Sequence, residues 1–191
     1  MSGLLVVLLV FIGLVLVIAL ALGVWLWSTY NRLIRLRNQV ETALAQVRTE
    51  LQRRLDMIPN LVKTVKGYAA HESETLEAVI TARSAAVSTP STPGTGDGTD
   101  LISASLGRLM ALSERYPDLK ADKSFMELQN ELSETENRIS FGRKLYNETV
   151  LIYNNAQQVF PANLIASRFS HTPSASFEAS PESATPPVVD F

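Results

Sequence analysis

The chain contains no cysteine and only two histidines, and these absences exclude several kinds of site. Without thiols it can form neither disulfides nor thiolate metal sites. His71 and His171 lie too far apart in the sequence to form a ligand spacing, so we predict no bound metal and no cofactor. The net charge is −2, which gives no reason to expect a nucleic acid as a partner.

Charged side chains are also missing ahead of Arg32, where an apolar run extends from Leu4 to Trp27. This run is long enough to cross a hydrocarbon core of about 30 Å. Its Leu, Ile, Val and Phe side chains favour insertion by roughly 5 to 10 kcal/mol. Trp25, Trp27 and Tyr30 resemble an interfacial aromatic belt. We therefore predict a retained transmembrane anchor over residues 1–29. The alternative, a cleaved signal peptide, needs a basic start and a shorter apolar run.

Basic residues follow the apolar run, and none precedes it. Arg32, Arg35 and Arg37 come directly after it, and Lys and Arg are enriched in loops on the cytoplasmic side of membranes. This asymmetry predicts a single-pass protein of the cell membrane, with its N-terminus outside and its C-terminal domain in the cytoplasm.

Beyond the anchor, the apolar spacing predicts long amphipathic helices. The first runs from about Tyr30 to Asp56, with no Gly or Pro to separate it from the anchor. Pro59 interrupts the pattern, because proline disrupts a helix interior. We predict a tight reversal at Asp56–Pro59 and a second helix from Pro59 to Val87. A kinked continuous helix is the alternative.

Two further helices are predicted downstream. The Ser88–Thr99 segment reads STPSTPGTGDGT, which is typical of a surface loop. A third helix spans about Asp100 to Arg115. The fourth begins near Ser124, where Ser124 and Glu127 fit a capping box.

The fourth helix carries a seven-residue apolar repeat, which predicts supercoiling and, over a row of small residues, the close approach of a neighbouring helix. We interpret this repeat as a row of residues buried in the core. The alternative is that it forms a contact between copies of the chain in a homo-oligomer. The large row comprises Phe125, Leu132, Ile139, Tyr146, Tyr153 and Phe160. The second row comprises Leu128, Thr135, Gly142, Thr149 and Ala156.

These segments predict an all-α fold. A single transmembrane helix would continue into an antiparallel up-down four-helix bundle with long helices over residues 30–169. Residues 170–191 are rich in Ser, Ala, Pro and Thr and lack Lys and Arg, which predicts a disordered tail. The fourth helix is long enough to return to the bilayer. Its end could then rest in the membrane interface through Phe160, Leu164, Ile165 and Phe169.

Several motifs in these segments resemble the LemA family. They include RRLDMIPNLV at residues 53–62, Ala82-Arg83, YPDLKA at residues 116–121 and LSETEN at residues 132–137. The resemblance extends from the anchor to about Phe160. It implies a single-pass anchor with the N-terminus outside and a helical bundle, but no reaction. Relatives have been associated with envelope or cell-surface processes and with building magnetosome membranes.

One polar constellation is the candidate site. In the up-down arrangement, two turns meet at the membrane-distal end of the bundle. These groups could form a protein-docking surface or could cap helix ends and lock the turns together; we favour the structural interpretation. The residues are Arg53, Arg54, Asp56 and Asn60 at one turn, and Tyr116, Asp118 and Lys120 at the other.

No group of residues in the sequence suggests catalysis. His71 and Glu72 stand alone, and we interpret them as an exposed pair on a helix. The Gly94–Gly98 stretch follows no strand and is too irregular for a phosphate-binding loop. We therefore predict a non-enzymatic scaffold or adaptor at the bacterial cell envelope, in contact with the lipid bilayer and a protein partner. The alternative is a regulatory subunit of another membrane machine, such as a protease or transporter.

Overall fold

The computed structural model describes residues 2–88, 93 and 99–177. Within this part of the chain the regular elements are all helices and no strand is found, which confirms the predicted all-α class for these residues. The helices are α1 (Ser2–Tyr68), α2 (Ser73–Ser88), α3 (Thr99–Ser113), α4 (Pro117–Lys120), α5 (Lys123–Gln158) and α6 (Ala162–Arg168).

The chain divides into two compact units, each described here by itself. Unit 1 comprises Met1–Glu41 and Thr149–Ser174, and unit 2 comprises Thr42–Glu148 with the residues from Ala175 onward. Helices α1 and α5 contribute residues to both units. The division into an anchor, a bundle over residues 30–169 and a tail stays a prediction.

Helix α1 passes through Pro59 without interruption. The predicted reversal at Asp56–Pro59 is therefore wrong, and the alternative of a continuous helix is correct. A proline inside a helix has no N–H to donate to the carbonyl four residues earlier, here that of Leu55. The Nε–H of Arg83 on α2 donates to this carbonyl oxygen instead, at 3.0 Å. A side chain distant in sequence thus supplies the missing donor, and α1 continues to Tyr68.

The chain reverses between α1 and α2. The Ala69 N–H closes the last turn of α1 on the Val65 carbonyl at 2.8 Å, and the Glu72 N–H donates to the Ala69 carbonyl at 3.1 Å. The second helix begins at Ser73, fourteen positions later than predicted. His71 and Glu72 consequently lie in a turn, so the prediction of a pair on a helix is wrong.

The core of unit 2 is formed by apolar side chains from α1 to α5. Burial of apolar area, at about 25 cal/mol per Å², is the main source of stability for such a core. The predicted stripe of the first helix is confirmed at Val47, Leu51, Leu55 and Ile58, which are all buried. The most deeply buried members of the core include Leu61, Val65, Val79, Leu109, Leu119 and Phe125.

Helix α5 begins close to the predicted position but with a different cap. The Asp122 carboxylate accepts the Phe125 N–H at 2.8 Å, as an N-cap residue does for the third helical residue. The capping box predicted at Ser124 and Glu127 is therefore wrong, because the helix starts at Lys123. The sequence signal that identifies the true cap is the aspartate two positions earlier.

The large row of the seven-residue repeat is buried from Phe125 to Tyr153, where each side chain is at most 5% exposed. Phe160 is the exception, at 75% exposed, because α5 ends at Gln158. The small row permits the predicted close approach at Gly142. A Cβ atom at this position would lie 3.0 Å from Cγ2 of Val47 on α1.

In unit 1, the apolar run at the start of α1 is exposed from Leu4 to Trp27. Among the described residues, α1 is the one helix long and apolar enough to cross a membrane. Where the run ends, Leu33 is buried against Ile165 and Ala166 of α6, with Tyr30 packed beside them. This small cluster attaches α6 to the helix that carries the apolar run.

Residues 170–177 are held by specific contacts, although their composition predicts disorder. In unit 1, Ser174 pairs with the side-chain amide of Asn154. In unit 2, Phe177 pairs with that of Asn147 and is buried. The rest of the predicted tail and almost all of the predicted Ser88–Thr99 loop lie outside the described residues.

Candidate functional site

The structure separates the seven predicted site residues into two clusters of unit 2. Because α1 continues past Asn60, the four residues of the RRLDMIPNLV motif lie within a helix and not at a turn. Tyr116, Asp118 and Lys120 lie at α4, where Tyr116 bonds Glu72 and Lys120 bonds Glu114. The prediction that both sets meet at one end of a bundle is therefore wrong.

Arg54 is the center of the first cluster. Its side chain is buried and joins three helices: Nη1 donates to the Ser103 hydroxyl of α3 at 3.2 Å and forms an ion pair with Glu136 of α5. Burial lowers the pKa of Arg54, while Glu136 acts in the opposite direction and Arg143 adds to the decrease. Arg54 therefore joins α1 to α3 and α5 and does not cap a helix end.

The neighbouring motif residues face solvent. Arg53 is 49% exposed, and its Nη2 lies 3.4 Å from Oε1 of Glu131 on α5. Asp56 accepts a hydrogen bond from Gln52 on the same helix at 2.8 Å. Asn60 lies beside an open groove between α1 and α5, which Glu127 and Glu131 also line. These three motif residues remain available for contact with a partner.

The second cluster joins the α1–α2 turn to the end of α3. The half-buried carboxylate of Glu72 pairs with Arg115 and accepts the Tyr116 hydroxyl at 3.2 Å. Lys120 pairs with Glu114 at 2.6 Å, and Asp118 is exposed. Glu72 therefore connects two segments of the chain, and His71 beside it is exposed.

A hydrogen bond that the sequence does not predict joins α1 to the start of α5 in unit 2. The Tyr68 hydroxyl donates to Asp122 at 2.9 Å and so ties the last residue of α1 to the cap of α5. This bond raises the pKa of Tyr68. The Phe125 N–H and then the Tyr68 hydroxyl lower the pKa of Asp122. The neutral Tyr68 hydroxyl is the donor of this hydrogen bond and the ionised Asp122 carboxylate is its acceptor, and no pattern in the sequence pairs the two residues.

Two core tyrosines of α5 find polar partners, as their sequence positions suggest. In unit 2 the Tyr146 hydroxyl donates to the Ala175 carbonyl at 2.8 Å. In unit 1 the Tyr153 hydroxyl lies 3.0 Å from Nδ1 of His171. Burial raises the pKa of both tyrosines and lowers that of His171. The Tyr153–His171 pair is therefore neutral at physiological pH.

Both clusters consist of ion pairs and hydrogen bonds between polar side chains. Within the described ranges, no group of three or more His, Cys, Asp and Glu side chains is placed to hold a metal ion. The polar contacts of Arg54 and Glu72 instead join helix to helix or helix to turn.

Comparisons with known proteins agree with the motifs. The sequence model of the LemA family matches residues 43–191. Protein LemA of Metamycoplasma hominis is 28% identical over 152 residues, covering 78% of this chain and 69% of that protein. Magnetosome proteins MamQ 2 and MamQ 1 of Paramagnetospirillum magneticum are each 24% identical over 183 residues, covering 82% of this chain and 67% of theirs. Because the family match covers well over half of the sequence, including both polar clusters, the chain belongs to the LemA family.

Proposed function

We propose that the protein is a non-enzymatic scaffold or adaptor of the bacterial cell envelope, held in the membrane by the start of α1. One observation carries this proposal: α1 runs without a break from the apolar residues Leu4–Trp27 to the buried Leu61 and Val65. An uninterrupted helix cannot swivel as a Gly- or Ser-rich linker does. The apolar run and the residues that enter the core of unit 2 therefore belong to one continuous helix.

The polar clusters support a role without catalysis or cofactor. Arg54 and Glu72 make contacts that fix packing, and the exposed Arg53, Asp118 and Lys120 offer charges to a protein partner. The relatives contribute only a class of role, since two are named as magnetosome proteins and none of the names states a reaction. Nothing in the proposal involves nucleic acid.

Two finer features of the arrangement also belong to the proposal. Arg32, Arg35 and Arg37 favour a cytoplasmic location for the residues after the anchor and an external N-terminus. With the reversal moved to Ala69–Glu72, an up-down four-helix bundle would be formed by α1, α2, α3 and α5. The seven-residue repeat of α5 favours supercoiled packing within it.

Affinity capture of the full chain from native membranes tests the proposed role. The scaffold proposal expects self-association or structural membrane proteins, whereas a stoichiometric protease or transporter would favour the regulatory alternative. Charge reversal at the exposed Arg53 should release a docked partner without lowering thermal stability. Charge reversal at Arg108, which is exposed on α3 and belongs to neither cluster, is the matched control and should retain the partner.

We also propose that the end of the chain's helical part makes a second contact with lipid. In unit 1, Phe160 and Pro161 line the same cavity as Trp25, Thr29 and Arg32, which lie where the apolar run ends. Phe160, Leu164 and Phe169 are exposed by 75%, 60% and 55%. Ile165 of α6 is buried instead, so three of the four predicted interfacial residues face outward. Exposed aromatic and aliphatic side chains beside an anchor are typical of an interfacial segment.

Spin labelling checks this lipid contact, and the lack of native cysteine makes each label unique. Single cysteines at positions 160, 164 and 169 of the full chain would carry a nitroxide in liposomes. We expect these labels to be relaxed more by oxygen, which concentrates in lipid, than by a water-soluble nickel complex. A label at Lys144, which is exposed on α5, should show the opposite preference. Fully water-accessible labels at all three positions would refute the contact.

A further inference from the structure

In unit 2, side chains of α5 hold the main chain of the chain's own residues 175–177. The Asn147 side chain makes two hydrogen bonds with the main chain of Phe177: Nδ2 donates to the carbonyl at 3.0 Å, and Oδ1 accepts the N–H at 2.8 Å. The Tyr146 hydroxyl donates to the Ala175 carbonyl at 2.8 Å. We call Asn147, Tyr146 and Arg143 the Asn147 clamp.

The clamp recognises two features of its occupant. The paired bonds of Asn147 imitate the way a neighbouring β-strand pairs with one residue, so they require an extended main chain but no particular side chain. The side chain is recognised separately. The Phe177 ring lies 5.1 Å from the Tyr146 ring in an edge-on arrangement, and the Arg143 guanidinium lies 5.4 Å above it. Both contacts are attractive for an aromatic ring.

Unit 1 holds the preceding part of the same segment in a similar way. The Asn154 side chain donates from Nδ2 to the Ser174 carbonyl at 2.9 Å and accepts the Ser174 N–H at Oδ1, also at 2.9 Å. Pro173 precedes Ser174 and restricts Thr172 to extended conformations. Both asparagines therefore select an extended chain through its backbone, and the segment carries its own conformational restraint.

Most side chains of this segment face solvent. Among the described residues 170–177, Phe177 is the one buried side chain, and Thr172, Pro173, Ala175 and Ser176 are exposed. Hydrogen bonds to a peptide main chain exchange readily for bonds to water and contribute modestly to stability. Release of the segment would expose the buried Phe177 ring but would remove no side chain from the core cluster that α1 to α5 form in unit 2.

We propose that the clamp also binds the corresponding segment of a second copy, so that neighbouring molecules exchange their 174–177 segments. Every copy carries an occupant of the required chemistry, and such an exchange of identical elements is a low-cost route to assembly. Within one molecule the segment has a high effective concentration, so exchange grows as copies crowd together. The proposal rests on the proposed anchoring, which confines all copies to one membrane with the same orientation.

Two complementary variants of the full chain test the exchange. Variant A, Asn147→Ala with Asn154→Ala, has an intact segment but lacks the two asparagine side chains that bond the segment's main chain. Variant B, Ser174→Pro with Phe177→Ala, has intact clamps but lacks the Ser174 N–H and the aromatic ring. Each carries a different tag, and pairs are produced together, extracted in mild detergent and captured through one tag.

We expect A to recover B about tenfold more efficiently than A recovers A or B recovers B, because only the mixed pair combines a free segment with free clamps. Recovery of B by A no greater than in the two like-with-like pairs would overturn the proposal. Far-UV circular dichroism establishes that both variants keep their helices.

A synthetic peptide of residues 170–177 gives a second readout that does not need two folded partners. Fluorescence anisotropy should detect binding of this peptide to variant B and at least about tenfold weaker binding to variant A. Equal binding to both, or no binding to a folded variant B, would contradict the clamp. Either result would leave membrane anchoring and partner capture unaffected, so failure of the exchange is distinct from failure of the scaffold role.

Discussion

Replacement of Arg83 by alanine is expected to lower the free energy of unfolding by about 2 kcal/mol, because it removes the side-chain donor that bonds the Leu55 carbonyl oxygen. Pro59 has no N–H to bond this oxygen, and Leu55 is buried. Denaturant unfolding of the full chain in detergent micelles, followed by circular dichroism, measures the change. The cost is high for one side chain because a buried acceptor loses its hydrogen bond.

The substitution Pro59→Ala separates the hydrogen bond of Arg83 from its other contributions to the free energy of unfolding. Alanine at position 59 restores the helical N–H, so the Leu55 carbonyl regains a donor within α1. In that background, Arg83→Ala should cost about 0.5 kcal/mol, which gives a coupling energy above 1 kcal/mol between two residues that are far apart in sequence. Equal costs of Arg83→Ala in both backgrounds would show that Arg83 acts by packing alone.

Replacement of Arg54 by alanine should lower the free energy of unfolding by about 2 to 3 kcal/mol. The guanidinium is buried and bonded to Ser103 and Glu136, so its removal leaves a cavity and unpaired groups. The Glu136 side chain is 48% exposed and can be hydrated, which keeps the loss at the low end of the range for buried pairs. Arg54→Met, which retains much of the packing, should cost less than Arg54→Ala.

Arg53 is a matched control on the same turn of α1. Its ion pair with Glu131 joins two half-exposed side chains, and such surface pairs are worth about 0 to 1 kcal/mol. Arg53→Ala should therefore leave the unfolding midpoint almost unchanged in the same denaturant titration. If both substitutions had the same effect, the distinction between a structural Arg54 and an exposed Arg53 would be incorrect.

Much of the helical content could be predicted from the sequence. The apolar spacing of α5 predicts both its length and its buried row, because a long regular helix repeats the same local signal many times. The limits of α3 can be predicted to within two residues. The Ser-, Thr-, Pro- and Gly-rich segment before it and Pro117 after it are both unfavourable for a helix. The small residue Gly142 correctly predicts the close approach of α1 at Val47.

The topology near Pro59 could not be predicted in this way. A proline in a helix usually marks an end, and the local sequence gives no sign that Arg83 will satisfy the Leu55 carbonyl. The prediction for the candidate site depends on this reversal. Only a turn at Pro59 would bring Arg53 and Tyr116 to the same end of the bundle. Arg54 and Tyr116 nevertheless both make contacts that join elements of the fold.

The order of the segment around Phe177 could not be predicted from its composition. Its Ser, Ala and Pro content predicts disorder, because such residues bury little apolar surface. Asn147 and Asn154 hold it through the backbone, and backbone recognition leaves no trace in the side chains of the segment. The signal that could have identified the clamp is the seven-residue spacing of two asparagines beside Tyr146 and Tyr153 on α5.

The most direct test of the whole account is the fate of Leu4–Trp27 in the mature protein. Membranes from the native host would be washed in alkaline carbonate, and the N-terminus of the retained protein determined by mass spectrometry. We expect the full chain to stay in the washed membrane with the apolar run intact. A mature protein that begins beyond Trp27 and is recovered in the soluble fraction would contradict it.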